Sequence, residues 1–365
     1  MQQKKAVIVG CSHMHANEIA KYIAETPEFR GVGVCPLLEG ETVPPYRYTP
    51  AWNANNVASL WNCEVTEDLS ALLDREKPDI AFLLSENGQK AEVARALMER
   101  GIFTVIEKPM ASTLEDALAI DAVSRQTGCS YLVNWPVAWR PYLHRMKAAL
   151  DSGVIGRAVK LRYLNGHTGP LGKGARHRGV SAAAEEMSDG DRAKTWWHRA
   201  EKGGGALLDI GCYGAFFARW FFGSARGRAV CHGKNLNTPF GNTEDEYAAL
   251  LELDGKMAVI EGTWLTPRAV IPSGPVLLGT EGVLCCTGGA ENAPDVACFD
   301  LYGNPVELMP APHTDPHLPA HLARGGTLFE GITPAFNLDV AKILEGMRKS
   351  ERSGAWEEIP EGGLS

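Results

Sequence analysis

The most constraining feature of this chain is the alternation, over its first 130 residues, of short β-branched runs with segments of helical period. Residues 6–9, 31–35, 80–84, 103–107 and 131–134 read as strands. Between them, 16–24, 69–75, 90–100 and 114–127 repeat apolar residues at i, i+3 and i+4, and Gly101 and Gly128 stop the last two. Strands joined by helices must run parallel, because a parallel pair needs a long crossover. The expected fold class is therefore α/β, with a doubly wound, Rossmann-type parallel sheet at the amino end. Residues 36–56 break the rhythm with Pro36, Pro44, Pro45 and Pro50, and are expected to form an ordered loop.

Past residue 130 the pattern changes. A helix over 141–150 and a strand over 158–164 precede a long polar stretch, 165–202. Residues 206–222 are apolar nearly all round, so that helix must be buried. Runs at 248–253, 257–264, 276–278 and 283–286 predict a large open, mostly antiparallel sheet, and 338–347 an amphipathic helix. The expected domains are a dinucleotide-binding unit over 1–130 and a second α/β unit over 131–365 for substrate binding and oligomerisation.

Composition narrows the partners. Thirty-six Lys and Arg against 44 Asp and Glu give a net charge of −8, without a basic run to hold nucleic acid or an anionic membrane surface. Nine cysteines, an odd number with no C-x-x-C, point to reduced thiols, and no stretch approaches the ~20 apolar residues of a membrane span. A soluble, cytoplasmic protein is expected.

Three segments carry chemistry. In the first, Val9-Gly10-Cys11-Ser12-His13-Met14-His15, a strand, a turn and a helix start fall where a dinucleotide pyrophosphate sits on a helix N-terminus. Only Gly10 of the G-x-G-x-x-G pattern is present; Ser12 and His15 stand at the other glycine positions. Cys35 occupies the place of the acid that holds the cofactor ribose, leaving Glu39 or Glu41 as substitutes. The second segment, Glu107-Lys108-Pro109, puts a charged pair just beyond a buried strand, where open α/β sheets bind ligands, with a proline that favours a specific turn. In the third, Gly203-Gly204-Gly205-Ala206-Leu207-Leu208-Asp209-Ile210-Gly211-Cys212-Tyr213, Asp209 and Tyr213 lie four apart on one face of the buried helix. A carboxylate and a phenol buried together must be paired or catalytic.

Taken together, these segments resemble the glucose-fructose oxidoreductase, inositol dehydrogenase and rhizopine-catabolism family, Gfo/Idh/MocA. The resemblance extends over Ser85-Glu86-Asn87, the strand end at Asn134 and Gly153-Val154-Ile155-Gly156, and so covers nearly the whole chain. It implies a Rossmann domain, an open-sheet second domain that often forms the interface of a homodimer or homotetramer, and hydride transfer between NAD(P) and a sugar, glycoside or polyol carbon. It places cofactor contacts at Gly10, Cys11, Ser12, His13, Met14, His15, Cys35, Ser85, Asn87, Glu107, Lys108 and Asn134. Lys108 matches the family's active-site lysine and Asp209 its helix carboxylate; Tyr213 stands where many members carry His. Lys90 replaces another common His. The alternatives within the resemblance are a glycosidase acting through transient oxidation and a non-catalytic dinucleotide sensor.

Oxidation of a secondary alcohol needs a proton acceptor, and a phenol serves only if a cation favours its ionised form. Tyr213 is therefore expected as the proton-transfer group with Lys108 supplying the charge, and Lys108 itself as the alternative. Trp135, Trp139, Trp196 and Trp197 flank the site and offer flat faces for a sugar ring. The basic residues of 173–202, Arg192 and His198 among them, suit an acidic sugar, but interspersed acids favour a solvated loop or an oligomer arm. NAD is favoured over NADP, since the nearest Arg after Cys35 is Arg47. No metal is expected: His13 and His15 are embedded in the turn, and Pro316 and Pro319 argue against a helix that would align His313, His317 and His321.

Overall fold

The computed structural model describes residues 3–38, 43–266, 274–287 and 294–361. Its first sheet contains β1 (Lys4–Val9), β2 (Phe29–Cys35), β3 (Ile80–Leu83), β4 (Phe103–Glu107) and β5 (Tyr131–Asn134), all parallel in the order β2-β1-β3-β4-β5. β3 and β5 are buried along their whole length, because helices cover both faces; that is why they read as continuous apolar runs. The crossovers carry α1 (His15–Glu25), α2 (Pro50–Trp61), α3 (Leu69–Glu76), α4 (Lys90–Met98) and α5 (Leu114–Thr127). Thr113 caps α5 by accepting from the Asp116 N–H, and Gly128 ends it at φ +70°.

Two expectations are corrected here. Residues 50–56 are not loop but the start of α2, because Pro50 stands in the first turn, where its missing N–H costs no helix bond. β5 pairs with β4, so the first domain runs through Asn134 rather than stopping at 130.

The second domain begins with α6 (Pro141–Asp151) and β6 (Ala158–Gly166) and passes through a one-turn helix, α7 (Asp189–Arg192). A π-helical turn over Leu207–Gly211 leads into α8 (Cys212–Phe222). Strands β7 (Gly227–Lys234), β8 (Glu246–Leu253), β9 (Lys256–Thr263), β10 (Gly274–Gly279), β11 (Gly282–Thr287), β12 (Asp295–Asp300) and β13 (Pro305–Val306) follow. Then come α9 (Leu318–Arg324), α10 (Pro334–Ser353) and β14 (Glu357–Glu358). The nine-stranded sheet has the order β13-β12-β11-β10-β6-β9-β8-β7-β14, antiparallel except for the central β6–β9 pair. α8 lies against that centre so closely that a Cβ on Gly214 would stand 2.2 Å from Ile260 Cγ2. α9 forms despite its proline because Pro319 falls in the first turn and His317 caps it; His321 and Arg324 both bind Asp315.

α10 returns to the first domain. Its Asn337 accepts from Trp135 Nε1 at 2.7 Å, and Arg348 donates to Ser112 O against the start of α5. The seam between the domains, where the site lies, is thereby fixed from both sides.

Candidate active site

The turn after β1 has only one possible occupant at its first position. Gly10 adopts φ +75°, and a Cβ there would meet Ser85 N at 2.4 Å. Its N–H donates to Cys35 O at 2.7 Å, and His13 N–H to Leu84 O at 3.1 Å, which holds the turn over the carboxyl ends of β1, β2 and β3. α1 opens on Met14 without a side-chain cap, and no backbone carbonyl among the described residues takes the Ser12 or Met14 N–H. Free N–H groups at a helix start suit an anion.

His13 is 4% exposed. Burial, then the neighbouring His15, Lys108 and Lys90, push its pKa well below the usual imidazole value, so the ring is neutral. Its Nδ1 accepts from His15 N–H at 3.2 Å, which leaves the proton on Nε2, and that buried Nε2 has no partner among the described residues. His15 Nδ1 donates to Glu107 Oε1 at 2.9 Å, Asn134 Nδ2 to Glu107 Oε2 at 3.2 Å, and Trp139 Nε1 to Asn134 Oδ1 at 3.3 Å. Donor atoms of His13, His15 and Glu107 lie within 4.8 Å of one another, a spacing open to a metal ion. The proton on His13 Nε2 and the His15–Glu107 bond favour hydrogen bonding there instead.

Lys90, read from the sequence only as a replaced His, is 1% exposed and organises the next wall. Its Nζ donates to Asn87 Oδ1, Glu107 O and Pro109 O at 2.8, 2.6 and 2.7 Å. Burial lowers Lys90 to about 7 against the pull of Glu107, but three acceptors match the three protons of an ammonium, and we assign the charged form. Asn87 Nδ2 in turn donates to Gly203 O at 2.8 Å, which ties this wall to the second domain.

The Lys108-Pro109 peptide is cis. Lys108 Nζ crosses the seam to donate to Asp209 O at 2.8 Å and Asp209 Oδ1 at 3.2 Å, and it lies 4.7 Å from the centre of the Tyr213 ring. Asp209 Oδ2 accepts from His167 Nε2 at 3.0 Å and from Trp264 Nε1 at 3.1 Å. Burial alone would raise the Asp209 carboxyl; Lys108 and His167 hold it well below the carboxylate range. Burial likewise disfavours the Lys108 ammonium, yet the negative charge of Asp209 beside it holds it well above the usual lysine range. Lys108, Asp209 and Tyr213 thus converge, as the family resemblance implied, but the expected ionisation of Tyr213 is corrected. Burial pushes the phenol up by more than Lys108 pulls it down, so it is a neutral donor, not a resting base.

His167 and Trp264 are the site residues that sequence reasoning missed. The available signal was a histidine framed by Gly166 and Gly169 at the end of the strand that became β6.

The indole platforms also need correction. Trp135 is fully buried against Tyr213 and Phe216, and Trp196 and Trp197 are 4% and 2% exposed with ring centres 3.8 Å apart. Trp196 Nε1 donates to Ser12 O at 2.9 Å, and Trp197 packs its edge against His13. These three faces are covered by protein; only Trp139 is half-buried. The 173–202 segment is not an outward arm. Tyr48 donates to Ala182 O at 2.6 Å, Arg47 pairs with Glu185 at 2.8 Å, and Arg178 meets Glu18 at 3.4 Å, so the segment folds back across the cofactor turn. Cys35 turns its buried thiol to Glu67 O at 3.4 Å, while Glu39 and Glu41 lie outside the described residues.

A Rossmann domain whose strand-end lysine pairs with a buried aspartate of a second, open-sheet domain defines the class of two-domain dinucleotide-dependent oxidoreductases. Residues 4–135 match the oxidoreductase family with an NAD-binding Rossmann fold, and 143–285 match the GFO/IDH/MocA C-terminal domain. The chain belongs to the Gfo/Idh/MocA oxidoreductase family. It is 24% identical over 198 residues to the D-xylose dehydrogenase of Paenarthrobacter nicotinovorans, covering 54% of this chain and 47% of that protein. It is 26% identical over 163 residues to inositol 2-dehydrogenase 2 of Saccharopolyspora erythraea, covering 44% of this chain and 45% of that protein. The chain spans about half the length of the curated relatives it matches. In fold it is similar to the WlbA dehydrogenase from Bordetella pertussis, solved in complex with NADH and UDP-GlcNAcA. That likeness has a TM-score of 0.74 at 18% identity and covers 99% of this chain and 100% of the other. No helix among the described residues is long and apolar enough to cross a membrane.

Proposed function

We propose that the protein transfers hydride between a nicotinamide cofactor and a secondary hydroxyl or keto carbon of a sugar, glycoside or polyol. The observation that carries this reading is the Asp209 carboxylate, shared by Lys108, His167 and Trp264 at the seam beneath the cofactor turn. The chain's own residues fit the cofactor. The Ser12 and Met14 N–H groups suit its pyrophosphate, and the orphaned His13 Nε2–H, near Lys108, is a donor for an acceptor on its nicotinamide end or on the substrate. Gly10 to His15 would hold the diphosphate, with Ser85, Asn87 and Glu107 lining the wall beyond. NAD is favoured over NADP because Arg47, the nearest arginine in sequence, is committed to Glu185 and Ala183 O.

When bound, the nicotinamide supplies the hydride acceptor or donor. Lys108 directs its ammonium at the substrate oxygen, stabilising alkoxide character and fixing orientation. Tyr213, kept neutral, donates a hydrogen bond to the same oxygen. In the reductive direction the Lys108 ammonium gives a proton to the alkoxide and regains one from solvent along the Asp209–His167 contact; oxidation runs the same path in reverse, the amine of Lys108 accepting the hydroxyl proton. Association as a homodimer or homotetramer is proposed with it, and light scattering checks that separately.

The test is mass spectrometry of the as-purified protein for bound nicotinamide. It is followed by a sugar, glycoside and polyol panel monitored at the nicotinamide absorbance and for the keto product. Turnover that Lys108→Met reduces at least ~100-fold supports the reading; the absence of both bound cofactor and binding on titration refutes it.

A further inference from the structure

A second feature of the seam concerns what the substrate carries away from its reacting carbon. A cavity of about 240 Å³ adjoins the site, sharing with it the Trp264 indole and the segment after His167, since Thr168 also lines it. Arg192, His198 and Phe240 also line it.

Arg192 is the anomaly. Its guanidinium lies 4.9 Å from the Phe240 ring centre, its Nε is buried without a partner, and no ion pair engages it among the described residues. Asp189, one helical turn away, also lines the cavity and its charge favours the guanidinium, but it is exposed and forms no ion pair with Arg192. The other acid nearby, Asp245, is saturated: it accepts from the N–H groups of Leu236, Asn237 and Thr238 and from the Thr238 hydroxyl, and so shapes the 236–238 loop. His198 is 2% exposed with an unpartnered Nε2, and burial, reinforced by Arg192, keeps its imidazole neutral and able to donate. A cation partly removed from water, with an aromatic face beside it and no carboxylate bonded to it, is costly unless an anion completes it. The guanidinium fork matches a planar oxyanion.

We propose that this cavity is the subsite for an anionic substituent of the sugar, a carboxylate or a phosphate, and that Arg192 is the residue that selects it. The inference rests on the sugar-oxidoreductase reading and narrows it to acidic sugars, with the carbinol carbon at Lys108 and the anion beyond Trp264.

The experiment compares paired sugars on the NAD-loaded protein: hexuronates and hexose phosphates, each against the neutral hexose. The expected result is a kcat/KM preference for one anionic class of about 10- to 100-fold, carried mainly by KM. Arg192→Gln should abolish it, and Arg192→Lys, which keeps the charge, should retain part of it. Which class wins distinguishes carboxylate from phosphate. Equal turnover of neutral and anionic members, or a preference that survives in Arg192→Gln, overturns the proposal. If no member transfers hydride, thermal shifts with glucuronate, glucose 6-phosphate and glucose still decide the subsite. Stabilisation by an anion alone, lost in Arg192→Gln, supports the subsite, and no anion-specific shift overturns it; the dehydrogenase reading is decided separately, by cofactor binding.

Discussion

Replacing Asp209 by Asn removes one charge and almost no volume, and so isolates what holds the seam together. The Lys108 and Asp209 side chains are 2% and 8% exposed, so the variant leaves an ammonium in the interior without its counter-ion. Removing one partner of a buried pair costs about 3–5 kcal/mol. Two contacts moderate the loss, because Asp209 O still accepts from Lys108 at 2.8 Å and the amide oxygen can replace Oδ1. A third aggravates it, since the amide nitrogen then faces the Trp264 N–H that Oδ2 now accepts. The lower half of the range, about 3–4 kcal/mol, is the expected destabilisation at pH 7. Its pH dependence has a fixed sign. A carboxyl depressed in the folded state contributes stability above its unfolded pKa of about 4 and loses it as pH falls through the folded value, so the gap between wild type and variant should narrow below about pH 4. Urea unfolding followed by tryptophan fluorescence measures this, with Lys108→Met and the double variant completing a cycle. Sub-additive losses of at least about 1 kcal/mol are expected, because the double variant buries no lone charge. A D209N loss below about 1 kcal/mol at pH 7, or strict additivity, would refute the pair as the element that fixes the seam.

Other perturbations test neighbouring parts. His167→Asn should lower kcat by about 10²-fold or more while leaving NAD affinity, read by fluorescence titration, unchanged. Gly10→Ala should lose NAD binding and about 1–3 kcal/mol in chemical denaturation, since φ +75° and the Ser85 backbone both oppose a Cβ. Burial raises the Glu244 carboxyl to about 7, so its contribution is complete below its unfolded pKa and is lost as pH rises toward 7. The thermal midpoint of the wild type should therefore decline relative to Glu244→Gln between about pH 5 and 7, since the amide oxygen of the variant can still accept from Leu207 N–H and does not titrate.

Where local sequence decides structure, the fold was legible. β3 and β5 announce themselves as buried runs, α5 has Thr113 and Gly128 at its ends, and 206–222 is too apolar to lie anywhere but the core. β7 was missed because Gly227, Arg228, His232 and Gly233 dilute its alternation; it is a strand because β8 pairs with it along its full length. In the site, Lys108, Asp209 and Tyr213 were legible as polar groups that a buried context must justify. Their electrostatics were not, since whether Lys108 ionises Tyr213 or pairs with Asp209 depends on the π-helical turn that aims the Asp209 carbonyl and carboxylate at Nζ. His167 and Trp264 come from the ends of β6 and β9, and only the parallel pairing of those strands brings both to one carboxylate.

The same geometry explains how a turn with one glycine instead of three can keep its shape. Each departure is answered by a residue distant in sequence. His15, at the third glycine position, is held by Glu107 of β4; Ser12, at the second, has its carbonyl held by Trp196; and His13 between them packs on Trp197. Cys35, in place of the ribose acid, turns instead toward Glu67, where Glu67 and Asp68 add to burial in keeping the thiol protonated. A carboxylate at position 35 would meet that same negative surrounding, so restoring the usual acid there works against its own ionisation. The substitutions therefore act as a set. By fastening the turn to Trp196 and Trp197 they make the cofactor cradle depend on the domain that carries Asp209, and the two halves of the proposed reaction, dinucleotide and sugar, are positioned by one continuous network.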